Sequence, residues 1–216
     1  MTIVIGIDPG FASAGIAVVD LLPRGERVRL LDVCETQKAQ KKRAVYASDD
    51  NVRRAGELAE FLEVALKLWK PVAICVESMS FPRNASSAQK VGIAWGVVAA
   101  LAWKYDLPIV QQSPQAVKKA VCGDKAAPKE AVEAALRKMY PECATFDRYV
   151  PRSKREHPFD ALAVVVACRG SELLLLARKG ATDEPQRSPD VEQGTGRPAP
   201  RKVRRPRQLA EPEDDI

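Results

Sequence analysis

The chain has 216 residues, of which 46% are hydrophobic and 29% charged, and a formal net charge of +6. That length gives one compact domain, or one domain and a tail, and the composition excludes a fibrous or membrane class. The basic balance suits a polyanionic partner, because Lys and Arg gain affinity by displacing counterions from phosphates, although many basic proteins bind no nucleic acid.

The amino-terminal residues 2–8 are rich in β-branched side chains and close on Pro9-Gly10, which predicts a buried strand and a turn. Residues 14–20 and 28–36 predict two more strands, joined through Pro23-Arg24-Gly25, so the fold opens on an antiparallel meander. A basic connector with Lys38, Lys41, Lys42 and Arg43 follows. Residues 50–70 carry Val52, Leu58, Leu62, Leu66 and Trp69 at helical spacing, with Asp49 or Asp50 as the N-cap and Pro71 as the stop. Residues 72–76 predict a buried strand ending at Glu77, residues 86–105 a helix rich in Ala, Gly and Val, and residues 108–112 a short strand.

Two short helices, 114–121 and 128–139, each take Pro in the first turn, where its missing N–H costs nothing. A polar loop, 141–156, leads into a last apolar helix over 158–177. From residue 180 onward Pro, Gly, Arg and acidic residues dominate, which divides the chain into a folded domain, 1–179, and a disordered tail, 180–216. The order predicts an α/β fold with a mixed five-stranded sheet and helices on its faces.

The five cysteines, Cys34, Cys75, Cys122, Cys143 and Cys168, form no CxxC pair. A reduced chain with neither a disulfide framework nor a zinc site is expected. No charged leader precedes the first strand, and the apolar run 161–177 is broken by Arg169, Gly170 and Glu172. A soluble, cytoplasmic protein that meets no membrane is therefore expected.

Asp8 and Glu77 end buried strands, where a carboxylate is costly unless something offsets its desolvation. Functional groups of open α/β sheets gather beyond such strand ends. His157 and Asp160 stand three residues apart at the start of a helix and share a face. Together these oxygen and nitrogen donors suit hard divalent cations. Each also has a plainer reading: Asp8 as a turn former, Glu77 as a solvated strand end, His157 as a helix-cap or loop residue, and Asp160 as a complement to the helix dipole.

Gly6-Ile7-Asp8-Pro9-Gly10 with Gly15 resembles the opening motif of the RuvC family of Holliday junction resolvases, within the RNase H-like superfamily. Val76-Glu77 followed by Asn84-Ala85, Ser87-Ala88 and Lys90-Val91-Gly92 is similar to the segment after that family's second acidic residue. Gln115-Ala116-Val117-Lys118, Ala120-Val121, Gly123, Ala127, Lys129 and Val132 resemble its basic segment, and His157 with Asp160-Ala161-Leu162-Ala163 its closing metal motif.

The resemblance implies an RNase H-like fold and cleavage of four-way or other branched DNA by paired symmetric nicks. It implies two Mg²⁺ ions, replaceable by Mn²⁺, on Asp8, Glu77, His157 and Asp160. Lys118 and Lys129 are implied on the DNA side, Lys129 with a catalytic part, and Arg83 as a further DNA contact; Ser80 stands where some relatives place an aromatic wedge, and the adjacent Phe81 reads either as a DNA contact or as a buried core residue. A homodimer through the helix 86–106, with Gly92, Ala94, Gly96, Ala99 and Ala100 permitting close approach, is implied too, as are branch-migration partner proteins and, in a bacterium, association with the nucleoid. Other branched DNA or hybrids as substrate, or junction binding without cleavage, stand as alternatives. The basic run Arg148, Arg152, Lys154 and Arg155 reads either as a DNA contact or as a solvated face, and the tail cluster Arg201, Lys202, Arg204, Arg205 and Arg207 either as added non-specific affinity or as a partner of the acidic end Glu211, Glu213, Asp214 and Asp215.

Overall fold

Five strands build one mixed sheet with helices on both faces: β1 (Ile3–Asp8), β2 (Ser13–Leu21), β3 (Glu26–Glu35), β4 (Ala73–Glu77) and β5 (Ile109–Gln112), in the order β3-β2-β1-β4-β5. β2 pairs antiparallel with β1 and β3, and β4 pairs parallel with β1 and β5, as the meander and the helical crossovers require. The computed structural model describes residues 1–39, 46–79 and 84–183, which belong to one unit, Met1–Glu184. Among them are α1 (Ala47–Trp69), α2 (Ala85–Lys104), α3 (Pro114–Cys122), α4 (Lys129–Met139), α5 (Glu156–Cys168) and α6 (Glu172–Asp183). Phe81, Arg83 and the basic tail cluster lie outside the described residues, and no described helix is long and apolar enough to cross a membrane.

Successive side chains of a strand point to opposite faces, and the two cores follow that parity. Ile3, Ile5 and Ile7 of β1 and Ile74 of β4 pack with Leu58 and Leu62 of α1 and with Ala94 and Val98 of α2. Val4 of β1, Ala17 and Val19 of β2, and Ala73 and Cys75 of β4 pack with Val117 of α3, Leu136 of α4 and Leu162 of α5. The same parity assigns Asp8, two residues after Gly6, and Glu77, two after Cys75, to the α5 side.

Helix α5 is buried on nearly every side, as a helix held between a sheet and an outer helical layer must be. At two points its backbone lies directly on the strands. A Cβ on Gly6 would stand 2.1 Å from the Ala161 carbonyl oxygen, and one on Gly15 2.2 Å from the His157 carbonyl. Glycine at both positions lets the helix backbone touch the strands and carries His157 and Asp160 down to the end of β1.

Several local expectations are corrected. The apolar segment 158–177 forms two helices, because Gly170 weakens the turn and the Ser171 hydroxyl accepts from the Leu174 N–H at 3.4 Å, starting α6. Helix α1 starts at Ala47, so Asp49 and Asp50 are first-turn residues that favour the dipole, and Tyr46 at the N-cap makes no side-chain cap. Pro128 is the N-cap of α4 and not part of its first turn. The segment 141–156 contains two 3₁₀ turns, Pro141–Phe146 and Arg152–Lys154, and His157 lies inside α5. Ala94 is fully buried under α2 and has no place on an exposed helix face, whereas Gly92, Gly96, Ala99 and Ala100 are exposed. All five cysteines are free.

Candidate active site

A cavity of about 420 Å³ opens at the carboxyl ends of β1 and β4, lined by Asp8, Glu77, Lys118, Lys129, His157 and Asp160. Six of the side chains singled out in the sequence therefore meet in one place. Asp8 and Glu77 come from adjacent parallel strands, in register through Ile7 opposite Val76. Lys118 arrives on α3, whose start is fixed by Pro114 and by the Ser113 hydroxyl accepting from the Ala116 N–H at 3.2 Å.

The His157 imidazole Nδ1 is 2.9 Å from Asp8 Oδ2. Lys129, at the first residue of α4, donates to Glu156 Oε2 at 3.1 Å and to Asp160 Oδ2 at 3.4 Å. Burial, and next the Asp160 and Asp8 carboxylates, push the Glu77 carboxyl up to about 7. Asp160 is raised mainly by burial, with Asp8 adding to it and the Lys129 ammonium opposing it.

Half-buried carboxylates that raise one another's affinity for protons are short of positive charge. The donor set fits a hard divalent cation in kind: three carboxylates and one imidazole. Among the described residues, no three such side chains are already drawn together as a closed cage. The donors instead face each other across an open cavity, with Lys129 supplying part of the missing charge.

Two contributors were not singled out in the sequence. Glu156, one residue before His157, takes the stronger of the two Lys129 contacts and so holds that ammonium at the rim. Arg54 of α1 is 2% exposed; its Nε donates to Thr36 Oγ1 at 2.9 Å and its guanidinium stacks 4.4 Å from the Phe11 ring centroid. Arg54 also donates to the Phe11 carbonyl at 3.4 Å, which ties α1 to the loop that leaves Asp8. The spacing Arg54, Leu58, Leu62 places it on the buried stripe of α1, the one signal that marks it in the sequence.

Comparison with known proteins identifies the family and the fold. A profile of the family described as "Crossover junction endodeoxyribonuclease RuvC" matches residues 4–167. The protein of that name from Natranaerobius thermophilus is 30% identical over 162 residues, covering 75% of this chain and 91% of the relative. Its namesake from Chromohalobacter salexigens is 35% identical over 135 residues, covering 61% of this chain and 66% of the relative. Among solved structures, T. thermophilus RuvC in complex with a Holliday junction substrate superposes with a TM-score of 0.63 at 26% identity, over 83% of this chain and 97% of that one. The yeast mitochondrial Holliday junction resolvase Ydc2 shares the fold, with a TM-score of 0.57 at 14% identity, over 84% of this chain and 85% of that one. With a cavity of three carboxylates and an imidazole at the strand ends, and a family match spanning β1 to α5, the chain belongs to the RuvC family of crossover junction endodeoxyribonucleases.

Proposed function

We propose that the chain is a magnesium-dependent endonuclease that resolves four-way DNA junctions by paired symmetric nicks, acting as a homodimer through the exposed face of α2. The observation that carries the reading is the meeting of Asp8, Glu77, His157 and Asp160 around one cavity with Lys118 and Lys129 beside them. Those four residues would hold the ions. Bound there, a pair of divalent cations supplies a clamp on the attacking water and the leaving 3′-oxygen of an in-line displacement.

The chain's own groups do the rest. Asp8 and Glu77 are fixed by the sheet, and His157 and Asp160 by α5, so the donors do not reorganise as charge develops. Lys129 sits where its ammonium can leave Glu156 for a phosphate oxygen and offset the added negative charge. Lys118, on the same wall, holds the incoming backbone. Products carry 5′-phosphate and 3′-hydroxyl ends. On the opposite face, Gly92, Gly96, Ala99 and Ala100 leave α2 open to close approach by a second copy.

The test is incubation with a synthetic mobile four-way junction and Mg²⁺, beside Asp8→Asn. Paired symmetric nicks, lost in the variant, are expected. Tight junction binding without cleavage would make the protein a binding module, and cleavage confined to flaps or hybrids would keep the nuclease and change its substrate.

A further inference from the structure

The segment 141–156 separates its charges into two groups. Each of its carboxylates is taken by the fold: Glu142 accepts the Val28 N–H at 3.1 Å, Asp147 accepts both terminal nitrogens of Arg137 at 3.2 and 2.9 Å, and Glu156 holds Lys129. Two of its cations are taken as well. Lys154 bridges Ser13 Oγ at 3.1 Å and Glu35 Oε2 at 3.2 Å, and Arg155 donates to the Asp147 and Val150 carbonyls. Arg148 and Arg152 remain exposed, and among the described residues neither is paired with a carboxylate. Tyr149 is 67% exposed, with the Arg148 guanidinium 4.8 Å from its ring centroid.

This surface is preformed. Cys143 and Val150 are anchored in the core at 1% and 3% exposure, and the Arg155 hydrogen bonds fold residues 147–150 back against the start of α5. It is also at the correct end of the molecule. Lys154 seats the second 3₁₀ turn on Ser13, the first residue of β2, beside the end of β1 that carries Asp8.

Arg152 precedes His157 by five residues, so at most about 17 Å of chain separates them. Phosphates of one duplex strand are spaced roughly 3.4 Å along the axis, so a strand cut at Asp8 comes to Arg152 within roughly five phosphates.

We infer that Arg148, Tyr149 and Arg152 form a second DNA-contacting surface, beside the cavity, that holds the sugar–phosphate backbone of an arm leaving the cut site. The inference rests on the reading above. The two guanidiniums contact phosphates, and the exposed Tyr149 ring lies against the sugar–base edge of the strand.

The test measures binding of the full chain, without divalent metal, to two labelled probes, a four-way junction and a linear duplex, over about 50 to 200 mM salt. The variants are Arg148→Gln with Arg152→Gln, Tyr149→Ala, and a control, Arg24→Gln with Arg27→Gln. The control removes the same charge from exposed residues at the opposite end of the sheet. Each phosphate contact contributes about 0.9 to the slope of log affinity against log salt, so the first variant is expected to lower it by about 1.8 and the control not at all. Tyr149→Ala is expected to weaken binding at least several-fold with the slope unchanged.

Equal slopes for the wild type and the Arg148/Arg152 variant, or an equal loss in the control, overturns the surface. A wild type that binds duplex but not junction overturns the substrate reading alone, because the slopes on duplex still judge the surface. Binding to neither probe overturns both.

Discussion

His157 Nδ1 lies 2.9 Å from Asp8 Oδ2 although the two residues are 149 apart in sequence. No side-chain spacer sets that distance. It follows from Gly15, which pairs with Asp8 across the β1–β2 ladder and lies directly under the His157 carbonyl.

Gly15→Ala therefore acts on the whole site. Its Cβ meets backbone and not the end of a flexible side chain, so helix α5 has to shift. A loss at or above the about 1–3 kcal/mol of ordinary overpacking is expected in urea unfolding. Metal-dependent cleavage is expected to fall more steeply than stability, because His157 and Asp160 move with the helix. Wild-type cleavage by this variant would show that the helix position does not control the site.

Glu77→Gln is expected to stabilise the metal-free protein. The Glu77 carboxyl is raised from 4.5 to about 7, so the folded state binds its proton more tightly than the unfolded state does. Stability from this group is present below about pH 4.5 and lost as pH rises through about 7. In EDTA at about pH 8 the variant should melt above the wild type, by about 2–4 °C for each kcal/mol relieved, and the gap should close near pH 4. On the metal assignment proposed above, added Mg²⁺ should reverse the order, because only the wild type would keep all four donors.

Glu63 predicts the opposite sign at the acid end. It accepts from Lys104 at 2.7 Å, from the Tyr105 hydroxyl and from Lys67, and its carboxyl is lowered from 4.5 to about 2, first by Lys104 and then by Tyr105. This link between α1 and α2 is fully present above about pH 4.5 and is lost as pH falls through about 2. Glu63→Gln should therefore lower the melting temperature modestly at pH 6, and the two proteins should converge by about pH 2. A constant difference across that range would rule the linkage out.

Arg54→Leu leaves Thr36 Oγ1 and the Thr36 carbonyl without the guanidinium donor in a closed interior, while the Phe11 carbonyl keeps the Thr36 hydroxyl at 2.6 Å. Hydrogen bonds to a charged group are worth about 1.5–3 kcal/mol, and a loss of that order is expected in chemical denaturation. Arg54→Lys should recover only part of it, because an ammonium cannot span Thr36 Oγ1 and two carbonyls while stacking on Phe11.

The sequence located most of the cavity because its residues break local patterns. Asp8 and Glu77 end otherwise apolar strands, and strand parity then sends both to the face that carries the His157–Asp160 pair. Arg54 breaks no such pattern: a polar residue in an amphipathic helix reads as exposed, and only the positions of Leu58 and Leu62 indicate otherwise. Glu156 was out of reach for a different reason, since its partner Lys129 is 27 residues away and no local spacing joins them. The break between α5 and α6 falls where Arg169, Gly170 and Glu172 interrupt the apolar run, an interruption that a single helix also tolerates, and the Ser171 hydroxyl decides where the second helix begins. In the basic run at 148–155, sequence alone could not divide structural from free cations, because Lys154 and Arg155 are satisfied by groups far along the chain or by carbonyls.

The flush seating of α5 on Gly6 and Gly15 has a thermal consequence. Asp8 and Glu77 sit on one side of that contact, His157 and Asp160 on the other, and backbone meets backbone between them. Neither half can drift while the helix stays docked, and undocking the helix opens the main core. Heat inactivation and loss of tertiary structure should then share one midpoint, with no temperature at which the protein is folded but idle.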